Sequence, residues 1–172
     1  MKSESVFTPT TADFTALELG LNTSAVRRMA DAQTLLCREF PLSVDALVQQ
    51  SLRHEPPRPI ELEHAIELTE EVVMQLAGQF AGGTGLRLQG PGADLIASTL
   101  AASGIGQPRL TLDEVETLFN RLVAVSQGRP ASQDKLATDA RFVAAMLILR
   151  EFMHHMHFAE VTLPSTVHNI QN

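Results

Sequence analysis

The chain has 172 residues, 13 basic against 20 acidic, a formal charge of −7 and an apolar fraction of 44%, which suits one domain with a sizeable core. That balance, with no Lys/Arg run anywhere, excludes a general polyanion surface, and no nucleic-acid partner is expected. No stretch reaches membrane-spanning length, no apolar leader follows Met1, and Cys37 has no second cysteine to bond, so the expectation is a cytoplasmic protein with no membrane contact.

In chain order, residues 1–10 are polar and read as a loose arm. Thr11 to Leu19 reads as a short helix ended by Gly20, which sets residues 1–20 apart from a single helical domain over 21–165. Asn22, Thr23 and Ser24 offer N-cap chemistry for a helix through Val26, Met29, Leu36 and Phe40 to Pro41, with Cys37 on its apolar side as a core residue. Ser43 caps a short helix carrying Val44, Leu47, Val48 and Leu52. His54 to Pro59 holds three prolines and is a linker that no helix should cross.

Ile60 to Gly78 predicts a helix with Leu62, Ala65, Ile66, Val72, Val73 and Leu76 inward and Glu61, His64, Glu67 and Glu71 outward. After the break at Gly82 to Gly85, Leu86 to Gln89 alternates as a strand, Gly90-Pro91-Gly92 turns the chain, and Ala93 to Ser103 is a small-residue helix. Thr111 and Glu114 form a capping box that opens a helix through Val115, Leu118, Phe119, Leu122 and Val125, stopped at Gly128 and Pro130.

The longest apolar helical pattern runs from Asp139 to Glu160. Phe142, Ala145, Met146, Leu149, Phe152, Met153 and Met156 form one stripe; the back is apolar at Val143, Ala144, Leu147 and Ile148, then polar at Arg150, Glu151, His154, His155 and His157. Its first half should be buried all round and its second half half-exposed. Val161 to Leu163 reads as a second strand and Thr166 to Asn172 as a flexible tail. The expected fold is predominantly α with a small parallel β element of two short strands, and the alternative is an all-α helical bundle.

Two constellations could carry chemistry. Glu151 with His154 and Glu61 with His64 share the Glu-x-x-His spacing of carboxylate-bridged dimetal bundles. With His155 and His157 they make a divalent-metal site the alternative to the favoured reading, a solvated helix end with no cofactor. Gly90, Gly92 and Ala93 open a helix, where backbone N–H groups can receive a phosphate, although Asp94 follows at once. No Gly-x-x-x-x-Gly-Lys-Ser/Thr, Gly-x-Ser-x-Gly or His-Glu-x-x-His motif occurs, so no catalytic set is assigned.

From Pro57 onward, over about two thirds of the chain, the sequence resembles the later part of the exopolyphosphatase and guanosine pentaphosphate phosphohydrolase family. The residues that carry this are Pro57 to Ile66 before a helix, Leu86 to Ala93 at a glycine turn, Leu110 to Leu118, and Ala144 to Leu149 with Glu160 to Leu163 following. The resemblance implies the fold of actin and the sugar kinases. It also implies losses: the family's Asp-x-Gly-Gly-Gly-Ser strand and turn has no counterpart, and the amino-terminal domain supplying the catalytic Glu is missing. A Gly-x-Gly-Gly-Thr turn is here Gly90-Pro91-Gly92-Ala93-Asp94, and an Arg-Ala-Asp is Thr138-Asp139-Ala140. The expectation is a non-enzymatic interaction or regulatory module, homodimeric or bound to a protein partner that covers its strand edges. The alternatives are a phosphate or nucleotide binder at Gly90 to Gly92 and a helical metal-binding protein.

Overall fold

A computed structural model describes residues 13–80 and 84–165; the expected arm over 1–10 and tail over 166–172 lie outside them. The chain is built on a six-stranded sheet in the order β3-β2-β1-β4-β6-β5. β1 (Phe14–Glu18), β2 (Ser24–Ala30) and β3 (Gln33–Phe40) form an antiparallel meander. β4 (Gly85–Gln89) runs parallel to β1, β6 (Glu160–Thr162) parallel to β4, and β5 (Arg109–Thr111) antiparallel to β6. The helices are α1 (Val44–Gln50), α2 (Pro59–Leu76), α3 (Pro91–Ala102), α4 (Leu112–Ser126) and α5 (Ala140–Met156).

This sheet overturns both the two-strand expectation and the all-α alternative. The error sits in the first forty residues. Phe14 to Glu18, expected to be helical, is the central strand β1, and Val26 to Phe40 is a hairpin instead of one helix. Its turn is Asp31 and Ala32, both at positive φ, 48° and 62°. Hairpin turns of this kind usually announce themselves with Asn-Gly or Asp-Gly, and the Asp-Ala pair here gave no such signal. Val26, Met29, Leu36 and Phe40 satisfied a helical spacing by accident, because a register shift between Arg28 and Met29 breaks the strand period. Cys37, expected in the core, is exposed. β5 escaped notice because three residues carry no period.

One face of the sheet is buried and the other is not. Thr15 and Leu17 of β1 lie opposite Leu86 and Leu88 of β4, and Val161 of β6 opposite Leu86; all five are at most 2% exposed. On the other face Arg87 stacks 3.8 Å from the Phe14 ring centre, Arg27 pairs with Glu18, and Arg109 meets Glu160 at 3.3 Å. Charged stems thus cover that face. On the buried face α5 packs against α1, α2, α3 and α4, and every residue from Phe142 to Leu149 is at most 1% exposed. Asp139 caps its start by accepting the Phe142 N–H at 3.0 Å.

The loop between α4 and α5 is tied down by one ion pair. Asp134 accepts Arg121 Nε at 3.1 Å and a second bond from Nη2, and also the Leu136 N–H at 3.1 Å. The Arg121 guanidinium holds the Asp134 carboxyl below the usual carboxylate range, against the opposing effect of burial.

Two predictions follow from this packing. Leu149→Ala should cost about 2–5 kcal/mol in denaturant melts, because the side chain is enclosed on all sides and leaves a cavity; a melt like that of the unchanged protein would remove α5 from the core. Asp134→Ala should cost about 1–3 kcal/mol near neutral pH, since it leaves the Leu136 amide and a half-buried guanidinium unpaired. A depressed carboxyl stabilises above its unfolded pKa, about 3.9, and that gain is lost as pH falls through the folded value. The gap between the two proteins should therefore hold above about pH 5 and close on further acidification; a pH-independent gap would mean that Asp134 acts by shape alone.

Candidate functional site

In an open sheet with parallel strands, ligands bind outside the carboxyl ends of those strands. Two glycine turns meet there in this chain. β1 ends at Glu18 and turns through Leu19 to Thr23, and β4 ends at Gln89 and turns through Gly90 to Gly92 into α3. The Leu19 N–H donates to the Gln89 carbonyl at 2.9 Å, and the Gly92 N–H donates back to the Leu19 carbonyl at 2.9 Å. Val44 and Asp45, at the start of α1, donate to the Gly20 and Leu21 carbonyls at 3.2 and 3.0 Å. Three segments are laced together by their own backbones.

The glycines serve that lacing. A Cβ on Gly92 would stand 2.8 Å from Leu19 Cβ and 3.1 Å from Val44 Cγ2, and one on Gly90, whose φ is +89°, would stand 2.9 Å from the Leu19 carbonyl oxygen. Both are glycine because chain packs on chain. Gly20 is likewise closed, with a built Cβ only 1.8 Å from the Thr23 oxygen.

The structure brings Gly90, Gly92 and Ala93 together at the start of α3, as the spacing implied, but the Gly92 N–H that a phosphate would need is committed to Leu19. Pro91 has no N–H, the Gly92 N–H goes to Leu19, and the Asp94 N–H goes to the Gly90 carbonyl at 3.1 Å. The rim is acidic too. Glu18 is paired with Arg27, and Asp45 binds Arg141 in a fork, Nε to Oδ1 at 2.8 Å and Nη2 to Oδ2 at 3.2 Å, while Asp94 is exposed. The β1–Gly20–β2 turn was the part missed by reading Thr11 to Leu19 as a helix. It supplies a strand and a glycine turn where none was found in the sequence, with one glycine in place of a run.

The two Glu-x-x-His pairs lie apart. Glu61 accepts the Arg58 N–H at 2.9 Å and meets His54 Nδ1 at 2.6 Å, and His64 Nδ1 meets Ser51 Oγ at 2.9 Å. Burial pushes the Glu61 carboxyl up, but those two bonds outweigh it and the net shift is downward. Glu151 is buried against Arg150, with His155 Nε2 at 3.3 Å; His155 also lies 3.5 Å from Glu70, and His154 lies 3.5 Å from Glu116. Glu61 and Glu70 are nine residues apart on α2, about 13 Å along its axis at 1.5 Å per residue. His157 is exposed and closes α5 in the left-handed conformation at φ 60°. Among the described residues, no group of three or more His, Cys, Asp or Glu is arranged to hold a metal ion. His154 and His155 instead set α5 beside Glu116 of α4 and Glu70 of α2.

The strand order, with parallel strands at the centre and an antiparallel meander at one side, defines an actin-like α/β domain. Solved structures of similar fold include Ppx/GppA phosphatases. A Ppx/GppA phosphatase of Aquifex aeolicus superposes with a TM-score of 0.66 at 10% identity, over 88% of this chain and 52% of that one. An exopolyphosphatase of Cytophaga hutchinsonii gives 0.65 at 15% identity, over 90% of this chain and 55% of that one. An exopolyphosphatase-like protein gives 0.63 at 12% identity over 89% and 53%. The chain spans about half the length of these proteins. No family model and no curated protein matches the sequence. The likeness covers more of the chain than the stretch from Pro57 that suggested it, and at these identities it is a likeness of fold. Among the described residues no helix is long and apolar enough to cross a membrane.

If the turn is closed by packing, Gly92→Ala should destabilise the protein by about 1–3 kcal/mol, whereas Gly85→Ala, with nothing within 4 Å of the added carbon, should stay within about 0.5 kcal/mol. Equal melting of the two variants would mean that the turn gives way easily and could open for a ligand.

Proposed function

We propose that this chain is a non-catalytic interaction module on a phosphatase-like fold, acting as a homodimer. The observation that carries the reading is the Gly92 N–H, which donates to Leu19 at 2.9 Å and so is withdrawn from any phosphate. Asp94 supports it further, because among the described residues it is the rim carboxylate with no arginine partner and would repel an anion at the start of α3. The phosphatases that share the fold are about twice as long as this chain. A homodimer is favoured because, among the described residues, the sheet ends in an eight-residue edge strand, β3, with no strand beyond it.

Phosphate release from inorganic polyphosphate and from nucleoside triphosphates, with magnesium present, should not exceed a heat-killed control. Neither compound should raise the melting temperature, whereas a ligand at a hundred times its Kd would add about 2.7 kcal/mol. Release above the control, or a stabilisation abolished by Gly92→Ala in protein that still folds, would restore the phosphate site and end the non-catalytic reading. Light scattering should give a mass of about twice 18.7 kDa, and a monomer at every concentration would end the dimeric one.

A further inference from the structure

We propose that the exposed face of α2 docks a basic amphipathic helix of a partner protein. The proposal rests on the interaction-module reading and names a partner other than a second copy. α2 carries five glutamates and neither lysine nor arginine over its 18 residues. Ile60, Glu63, Glu67, Glu71 and Met74 follow one another at intervals of three and four, so they share one stripe of the helix, and all five are exposed. Ile60 is 67% and Met74 53% exposed, two of the three large apolar side chains left in solvent among the described residues. Both stand on this stripe, one at each end of the acidic run.

A helix face that meets only water is commonly laced with charges of both signs, because residues four apart then attract. This face does the reverse. Glu63, Glu67 and Glu71 stand four apart, where like charges destabilise a helix. Glu61 meets His54 and Glu70 meets His155, but Glu63, Glu67 and Glu71 are in no ion pair among the described residues. Arg27, Arg109, Arg121 and Arg141 each hold a carboxylate elsewhere.

Charge complementarity and spacing name the occupant. A second copy would set the same three carboxylates against these, in a chain of net charge −7, and is repelled, as is any anionic surface. Ile60 and Met74 are fourteen residues apart, about 21 Å along the axis at 1.5 Å per residue. A segment that matches has an apolar side chain at each end of such a span and Lys or Arg between. A helix repeats its contacts at the same interval as α2 and keeps them on one line. One convex helix offers a small contact area, so the complex should be weak and salt-dependent.

The test uses the whole chain and a synthetic helical peptide as long as α2, with Leu at both ends of one stripe and Lys between. At low salt it should bind at least about tenfold tighter than a scrambled peptide of the same composition, since order and not charge alone sets the fit. Glu67→Lys with Glu71→Lys should cost about tenfold or more in that affinity and create binding of the peptide with Glu in place of Lys. Ile60→Ser with Met74→Ser should weaken binding about fivefold or more, as loss of apolar anchors does, with an unchanged melt. Equal binding of the scrambled peptide, no binding, or indifference to either pair of substitutions overturns the proposal. A dimer that dissociates on Ile60→Ser with Met74→Ser puts a second copy on α2 and overturns it too. Each of these outcomes, in a protein that releases no phosphate, leaves the interaction-module reading standing, whereas phosphate release ends that reading whether or not the peptide binds.

Discussion

Everything in this fold leans on the enclosure of α5. A helix stretch apolar around its whole circumference, as α5 is from Phe142 to Leu149, is stable in water only if neighbours surround it, and here one cluster runs from Leu17, Leu86 and Val161 in the sheet through α5 and on to four other helices. The ends are held as firmly as the middle. Asp139 caps the first turn, Glu55 accepts the Ala140 N–H at 3.2 Å, and the Phe158 N–H returns to the Met153 carbonyl at 2.9 Å. Glu55 comes from the proline segment that no helix crosses. An apparent linker therefore anchors the core.

The same tight packing decides what the carboxyl ends of the strands can do. A glycine turn at a helix start is ambiguous, because a missing Cβ serves a close ligand and a close backbone equally well. The partner of the N–H resolves the ambiguity. At Gly92 that partner is the Leu19 carbonyl, and Leu19 is itself fully buried. Opening the turn to a phosphate would break the bond between β1 and α3 and uncover Leu19 together, two costs that a ligand's binding energy would have to exceed.

How much was legible in the sequence follows from how local each signal was. α2, α3, α4 and α5 were readable because their caps and stripes lie within single segments: Thr111 and Glu114, Asp139, and the apolar run from Phe142. β4 and β6 were readable from short alternation beside a glycine turn and a proline. The β1–β2–β3 meander was not, because its evidence is distributed: Thr15 becomes a core residue only when Leu86 lies beside it, seventy-one positions later, and Asp31-Ala32 turns the hairpin without a glycine. The resemblance pointed to the right fold from partial matches after Pro57, yet could not place the meander that completes it. For the site, Gly90 and Gly92 were found, but their hydrogen-bond partners come from the segment read as a helix, so their role could not be read from spacing.

The faces and the edges of the sheet are protected to different degrees. The open face is not sticky, for its apolar residues are small or shielded: Ala16 and Ala25 are at most 5% exposed beneath longer neighbours, and Phe14 lies under Arg87. Lateral pairing is different, since backbone groups at an edge cannot be shielded by changing the side chains of a face. β5 answers this by being short. β3 answers with one arginine folded onto one carbonyl, over eight residues, and with Leu35 turned out beside it. Among the described residues the least protected strand backbone is thus at β3, at the side of the sheet away from β5, and a contact there would leave the enclosure of α5 and the closed turns at Gly20 and Gly92 undisturbed.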